Sequence, residues 1–159
     1  MDRQQFKERL NGWYEGTAQS DTIEPSFLCL SFMVLAMGSQ FTDLHGPKLG
    51  YLTSKRVPEG GPGMIFYTRA KTLLSDVVTQ CSLESIQACF LMGLFLLPSN
   101  ISDLSYVYHG MALKMAISAG LHRSISDPGL DARLVAVRNR LWWSLYISER
   151  QDIRAHLFG

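Results

Sequence analysis

Apolar residues recur along this chain at intervals of three and four, and no stretch sustains the alternation that a strand needs. In residues 2–14, Phe6, Leu10 and Trp13 fall on one face with charged residues between them. Pro25 suits the first turn of a helix running to about Gln40. That segment carries Phe27, Leu28, Leu30, Phe32, Val34, Leu35 and Met37 and is apolar almost all round. Such a helix needs neighbours on more than one side. A stripe of Phe66, Ala70, Leu73, Leu74 and Val77 predicts a helix over 64–79. Ser82 is placed to cap the N-terminus of the next one, which runs to Leu97 and stops at Pro98. Leu104, Tyr108, Met111, Met115 and Ala119 mark a helix over 103–119. Gly120 follows it, where a left-handed C-terminal cap suits glycine best. Leu134, Val137, Leu141 and Leu145 mark a last helix over 131–150. The pattern predicts an all-α fold of stacked antiparallel helices near 3–14, 26–40, 64–79, 82–97, 103–119 and 131–150.

The breaks are as informative as the runs. Residues 42–63 hold Gly46, Pro47, Gly50, Pro58, Gly60, Gly61, Pro62 and Gly63 and read as a long loop. Only about five residues join the 82–97 and 103–119 helices, which predicts an antiparallel hairpin. Ser105, Ala112, Ala116 and Ala119 give the second of these a slim side that lets a neighbour approach closely. The Tyr-x-x-x-Gly-x-Ala pattern at 106–112 has no second copy, which counts against a helical-repeat array.

The chain has 159 residues, enough for one domain with a real core. Hydrophobic residues make up 47% and charged ones 18%, below the usual share of about 25%. The low charge points to apolar surface that another chain or segment covers, and self-association follows as an expectation for the isolated chain. A formal charge of +1 argues against a strong nucleic-acid or membrane-surface field. Six arginines against four acids in 121–159 are too weak an excess to make a nucleic-acid face. No apolar run approaches the roughly 18–20 residues that cross a bilayer, so no membrane partner is expected and the chain reads as soluble and intracellular. Cys29, Cys81 and Cys89 are odd in number and form no Cys-x-x-Cys. They read as structural thiols, with Cys81, ahead of a helix start, the one best placed to react.

Catalytic machinery is not found. There is no Gly-x-Ser-x-Gly, phosphate loop or His-Glu-x-x-His, and His45, His109, His122 and His156 lack metal-ligand spacing. The expectation is no catalytic residue, no metal ligand and no cofactor in this chain. Two readings considered on these grounds are a helical-repeat interaction scaffold and a small helical enzyme.

Two late segments stand out. The first, "YHGMALKMAISAGLHR" over 108–123, reads as a tightly packed helix with a glycine stop. Leu121 folds back on the last turn, and His122 and Arg123 lie beyond the negative helix end. They serve packing and capping, or alternatively contact an effector or another domain. The second, "RNRLWWSLYISER" over 138–150, sets Trp142 and Trp143 about 100° apart on a helix. Trp142 lies nearer the apolar stripe and is expected in the core. Trp143 is expected to cover a second helix or a groove, and Arg140 to stack on an indole or pair with an acid.

Together these segments resemble the regulatory middle region of fungal zinc binuclear cluster transcription factors, closest to the xylanolytic-activator type. The matching positions of the first segment are Tyr108, Gly110, Ala112, Ala116, Gly120, Leu121, His122 and Arg123. Those of the second are Arg138, Arg140, Leu141, Trp142, Trp143, Ser144, Leu145, Tyr146, Glu149 and Arg150. Residues 67–76 and 82–97, and Ala36 with Gly38, also look like the family's earlier helices. The resemblance implies three parts: a lead-in helix over 1–24, the regulatory domain over 25–150, and a divergent or truncated tail over 151–159. It implies a non-catalytic, incomplete helical domain that controls transcription in the nucleus. Its implied partners are other domains of the same factor, the transcription machinery or a small-molecule effector, with no effector-binding residue named. The six-cysteine cluster of such factors is not in this sequence, so zinc and DNA contact are expected only through that absent cluster. For the effector, the 42–63 loop and the Met-bearing 103–119 helix are where the sequence directs attention.

Overall fold

A computed structural model describes residues 3–15, 24–45, 61, 63–99, 102–123 and 131–158. Most of the predicted 42–63 loop lies outside the described residues. Seven α-helices, a short 3-10 turn at Leu97–Ser99 and no strand make up the described part. They are α1 (Arg3–Tyr14), α2 (Pro25–His45), α3 (Gly63–Thr72), α4 (Leu74–Gln80), α5 (Leu83–Leu96), α6 (Ser102–Ser118) and α7 (Ala132–Phe158).

Three boundaries depart from the sequence expectation. α2 runs on to His45, into the stretch assigned to the loop. α7 continues to Phe158, so the segment taken as a tail prolongs the last helix. The single helix expected over 64–79 is two helices broken at Leu73. The Thr72 hydroxyl donates to the Arg69 carbonyl at 2.7 Å. That carbonyl is the one a continuing helix would offer to the Leu73 N–H, which instead bonds Ala70 O at 3.1 Å. A local side-chain bond competes with the ladder, the turn tightens and the axis changes direction.

The core forms where α2, α5 and α6 meet. α5 packs most extensively on α6, and α2 on α3 and α5. Met33, Ile86, Met92, Leu96 and Leu145 are among the largest fully buried side chains. Side chains of that size each contribute about 1.5–3 kcal/mol when removed from water. Ser82 caps α5 as expected, its hydroxyl accepting from the Ser85 N–H at 3.1 Å. Tyr67 of α3 stacks on Phe95 of α5, with centroids 5.3 Å apart. Its hydroxyl lies 3.4 Å from that of Tyr108. Burial, and then this contact, push the Tyr67 phenol above its ordinary range.

The apolar α2 is covered on more than one side, yet not everywhere. Phe27, Cys29, Leu30, Met33 and Ala36 are buried, while Val34, Leu35 and Phe41 stay exposed. Arg9 and Phe6 help hold α1 at the edge. Arg9 pairs with Glu84 of α5 at 2.8 Å and lies 4.0 Å over the Phe27 ring, and Phe6 packs beside Phe27 with centroids 5.7 Å apart. No helix among the described residues is long and apolar enough to cross a membrane.

Candidate functional site

The two late segments meet in one joint between the C-terminal end of α6 and the first half of α7. Ala112 and Ala116, on the slim side of α6, are fully buried, while Gly110 is half-buried with open space where a side chain would begin. Gly120 has φ +71°, the left-handed conformation that only glycine adopts without strain. The Leu121 N–H bonds Ala116 O at 2.9 Å, and the Gly120 N–H bonds Ile117 O at 3.0 Å. This pair of bonds is a Schellman stop, and buried Leu121 is its hydrophobic seal.

Arg138 of α7 completes the cap. Its Nη2 lies 3.5 Å from Ala119 O and 3.4 Å from Gly120 O, a cation laid against the negative end of α6. Sequence reading of the α6 stop missed this role, because the arginine comes from another helix. His122 and Arg123 are exposed. The His122 ring packs 6.0 Å from Trp142, so these two residues border the joint.

Along α7 the aromatic motif divides by face. Leu141 and Leu145 are buried and Trp142 is half-buried against the core. Trp143 is 58% exposed and packs edge-on to Tyr146 of its own helix at 5.8 Å, so it covers no second helix among the described residues. Arg150 turns back to donate to the Tyr146 hydroxyl at 2.9 Å. The Glu149 and Arg150 side chains do not pair with each other, and Glu149 Oε2 is buried without a partner among the described residues. Arg140 neither stacks on an indole nor pairs with an acid among the described residues. Trp142 lies on another side of α7, Trp143 packs on Tyr146, and Arg140 lines a groove instead.

That groove, about 900 Å³ in volume, opens between α1, α2, α5 and the first half of α7. Phe6, Leu30, Val34, Phe90, Leu91 and Leu141 supply its apolar surface. Arg133 and Arg140 of α7, Arg3 of α1 and Gln87 of α5 supply its polar positions. Arg140, Leu141 and Ser144 of the second late motif line it, while no described residue of α6 does. A signal was present in the sequence: Arg133 and Arg140 stand seven apart, two helical turns on one face.

The remaining candidate chemistry is quiet. Burial, and then the neighbouring thiols, push Cys29 and Cys89 up to about 12, which suits inert core residues. Cys81 does not sit over the N-terminus of α5. It ends α4 with φ +46°, and its Sγ donates to Val78 O at 3.3 Å. The thiol is thus spent on a helix carbonyl, because Ser82 takes the capping position. Among the described residues no three His, Cys, Asp or Glu side chains converge as metal ligands would.

Comparison with known proteins places the sequence. Residues 1–153 match the fungal specific transcription factor domain. An uncharacterized transcriptional regulatory protein of Schizosaccharomyces pombe is 39% identical over 132 residues, 83% of this chain and 16% of that protein. The thiamine repressible genes regulatory protein thi1 of the same yeast is 30% identical over 133 residues, 84% of this chain and 17% of that protein. The transcription regulator galc of Aspergillus niger is 27% identical over 128 residues, 77% of this chain and 14% of that protein. The chain spans about one sixth of the length of these relatives. No solved structure matches it. With the match running through both late motifs and every helix but the last residues of α7, the chain belongs to the fungal specific transcription factor domain family.

Proposed function

We propose that residues 1–159 form a non-catalytic regulatory unit that sets the output of a nuclear transcription factor through contacts with another protein segment or an effector. The observation that carries this reading is the family match over residues 1–153. The relatives named above are regulators of transcription by their own names. The geometry supports a binding role, since α7 couples a capped joint at α6 to an open groove with basic positions. In this reading zinc and DNA contact belong to other parts of a full-length factor. The resident chemistry here is packing and docking.

A reporter experiment tests the reading. The chain is placed between a heterologous DNA-binding domain and a constitutive activation domain in a fungal host. Expected is a change in reporter output relative to the same fusion carrying a neutral linker, at matched protein level. Equal output from both fusions across growth conditions overturns it.

A further inference from the structure

We propose that the groove between α1, α2, α5 and α7 is a docking site for an amphipathic helix of a partner protein, one with an apolar stripe flanked by carboxylates. The shape comes first. The groove follows α7 from Ala132 to Ser144, about 18 Å at 1.5 Å per residue. It is open to solvent along that length, whereas small-molecule sites enclose most of their ligand. Ala132, Ala136 and Ser144 keep the α7 wall slim, which lets an incoming backbone come close. An apolar floor of this length matches the i, i+3, i+4, i+7 anchors of a docked helix.

Charge then selects the occupant. Arg133 and Arg140 are both exposed on the groove wall, and neither guanidinium has a partner among the described residues. Among the described residues no acid lines the groove. The acids at its borders are already engaged: Glu84 pairs with Arg9, and Asp131 accepts from the Arg133 N–H at 3.0 Å as the cap of α7. Carboxylates spaced two turns apart on an incoming helix would meet the two arginines in register. A second copy of this chain does not supply such a helix. α7 carries Glu149 and Asp152, three residues apart, and every other helix carries at most one acid, so none presents carboxylates two turns apart.

The test uses the purified 159-residue chain and three labelled 18-residue helical peptides read by fluorescence anisotropy. All share one Leu/Phe stripe and differ in having Glu, Gln or Lys on its flanks. Expected is binding of the Glu peptide at least about tenfold tighter than the Gln peptide, with the preference falling as salt is raised. Arg133→Glu with Arg140→Glu should weaken the Glu peptide about tenfold or more and gain affinity for the Lys peptide. Arg69→Glu on the exposed face of α3 should change neither. Ala136→Phe, which fills the groove without altering charge, should abolish binding while the circular dichroism spectrum is kept. Equal binding of Glu and Gln peptides, or an unchanged affinity in the double reversal, overturns the proposal. So does decanoate binding in place of any peptide, which makes the groove a small-molecule site. The binding assay reads the groove alone and the reporter assay reads output, so failure of one is distinct from failure of the other.

Discussion

The seam between α5 and α6 and the flank formed by α7 are built on opposite plans. At the seam, Gly93 leaves a gap that the His109 ring fills, and a Cβ on residue 93 would overlap that ring. The Ser105 hydroxyl crosses the same gap to donate to Gly93 O at 2.8 Å. His109, Ser105, Ala112 and Ala116 are all buried there. α7, in contrast, rests mainly on α6, touches α5 lightly and leaves a groove beside it. Its buried face is narrow, Leu141 and Leu145, while Trp143 and Ile147 are more than half exposed. A closed seam fixes the scaffold, and an open flank leaves surface for recognition. Composition follows the two plans: α5 is apolar on nearly every side, whereas α7 interleaves its apolar residues with five arginines.

The sharpest way to break this contrast is at Leu145, which anchors the narrow buried face of α7. Leu145→Ala should cost about 2–5 kcal/mol, through lost transfer energy and the cavity left behind. Urea denaturation of the two proteins side by side reads it. A loss below about 1 kcal/mol would mean that α7 is not seated on the core as described.

The seam is probed next by Gly93→Ala. Alanine favours a helix over glycine by about 1 kcal/mol, so propensity alone predicts stabilisation. Overlap with the His109 ring should reverse the sign and give a net loss of about 1–2 kcal/mol. In a His109→Ala background the same change should become neutral or stabilising, since the clashing ring is gone. A thermal melt of the four proteins measures the cycle, and additive effects would refute the fit.

Gly120→Val tests the joint that links seam to flank. A β-branched residue resists positive φ, and a loss of about 1 kcal/mol or more is expected. An unchanged melting midpoint would mean that the Schellman stop is dispensable. Arg138→Met should cost less, because the second cap is charge laid on an already closed turn.

Trp143→Ala completes the series from the exposed side. Two residues from Leu145, it should alter stability by no more than about 0.5 kcal/mol. A loss comparable to that of Leu145→Ala would show that the outer face of α7 is covered in the folded chain.

The sequence by itself determined the helical class, the family and most local stops. The class and the stops rest on short-range physics, and the family on the resemblance of the two late motifs. Periodicity of three and four set the helices, Ser82 capped α5, and Gly120 after Ala119 announced a left-handed turn, all within a few residues of one another. The break at Leu73 was harder to see, because one threonine hydroxyl competing for one carbonyl leaves the apolar stripe intact. Arg138 over Ala119 O, His109 in the space left by Gly93, and the groove between α1, α2, α5 and α7 were decided by the tertiary structure alone. Each joins residues from separate helices; the Arg133–Arg140 spacing marked a shared face of α7, but nothing in the chain showed what that face would meet. For Trp142 and Trp143, adjacency gave the angle and the Leu134–Leu141–Leu145 stripe the inward choice of Trp142, while only the packing of α7 on α6 decided that Trp143 has no covering helix among the described residues.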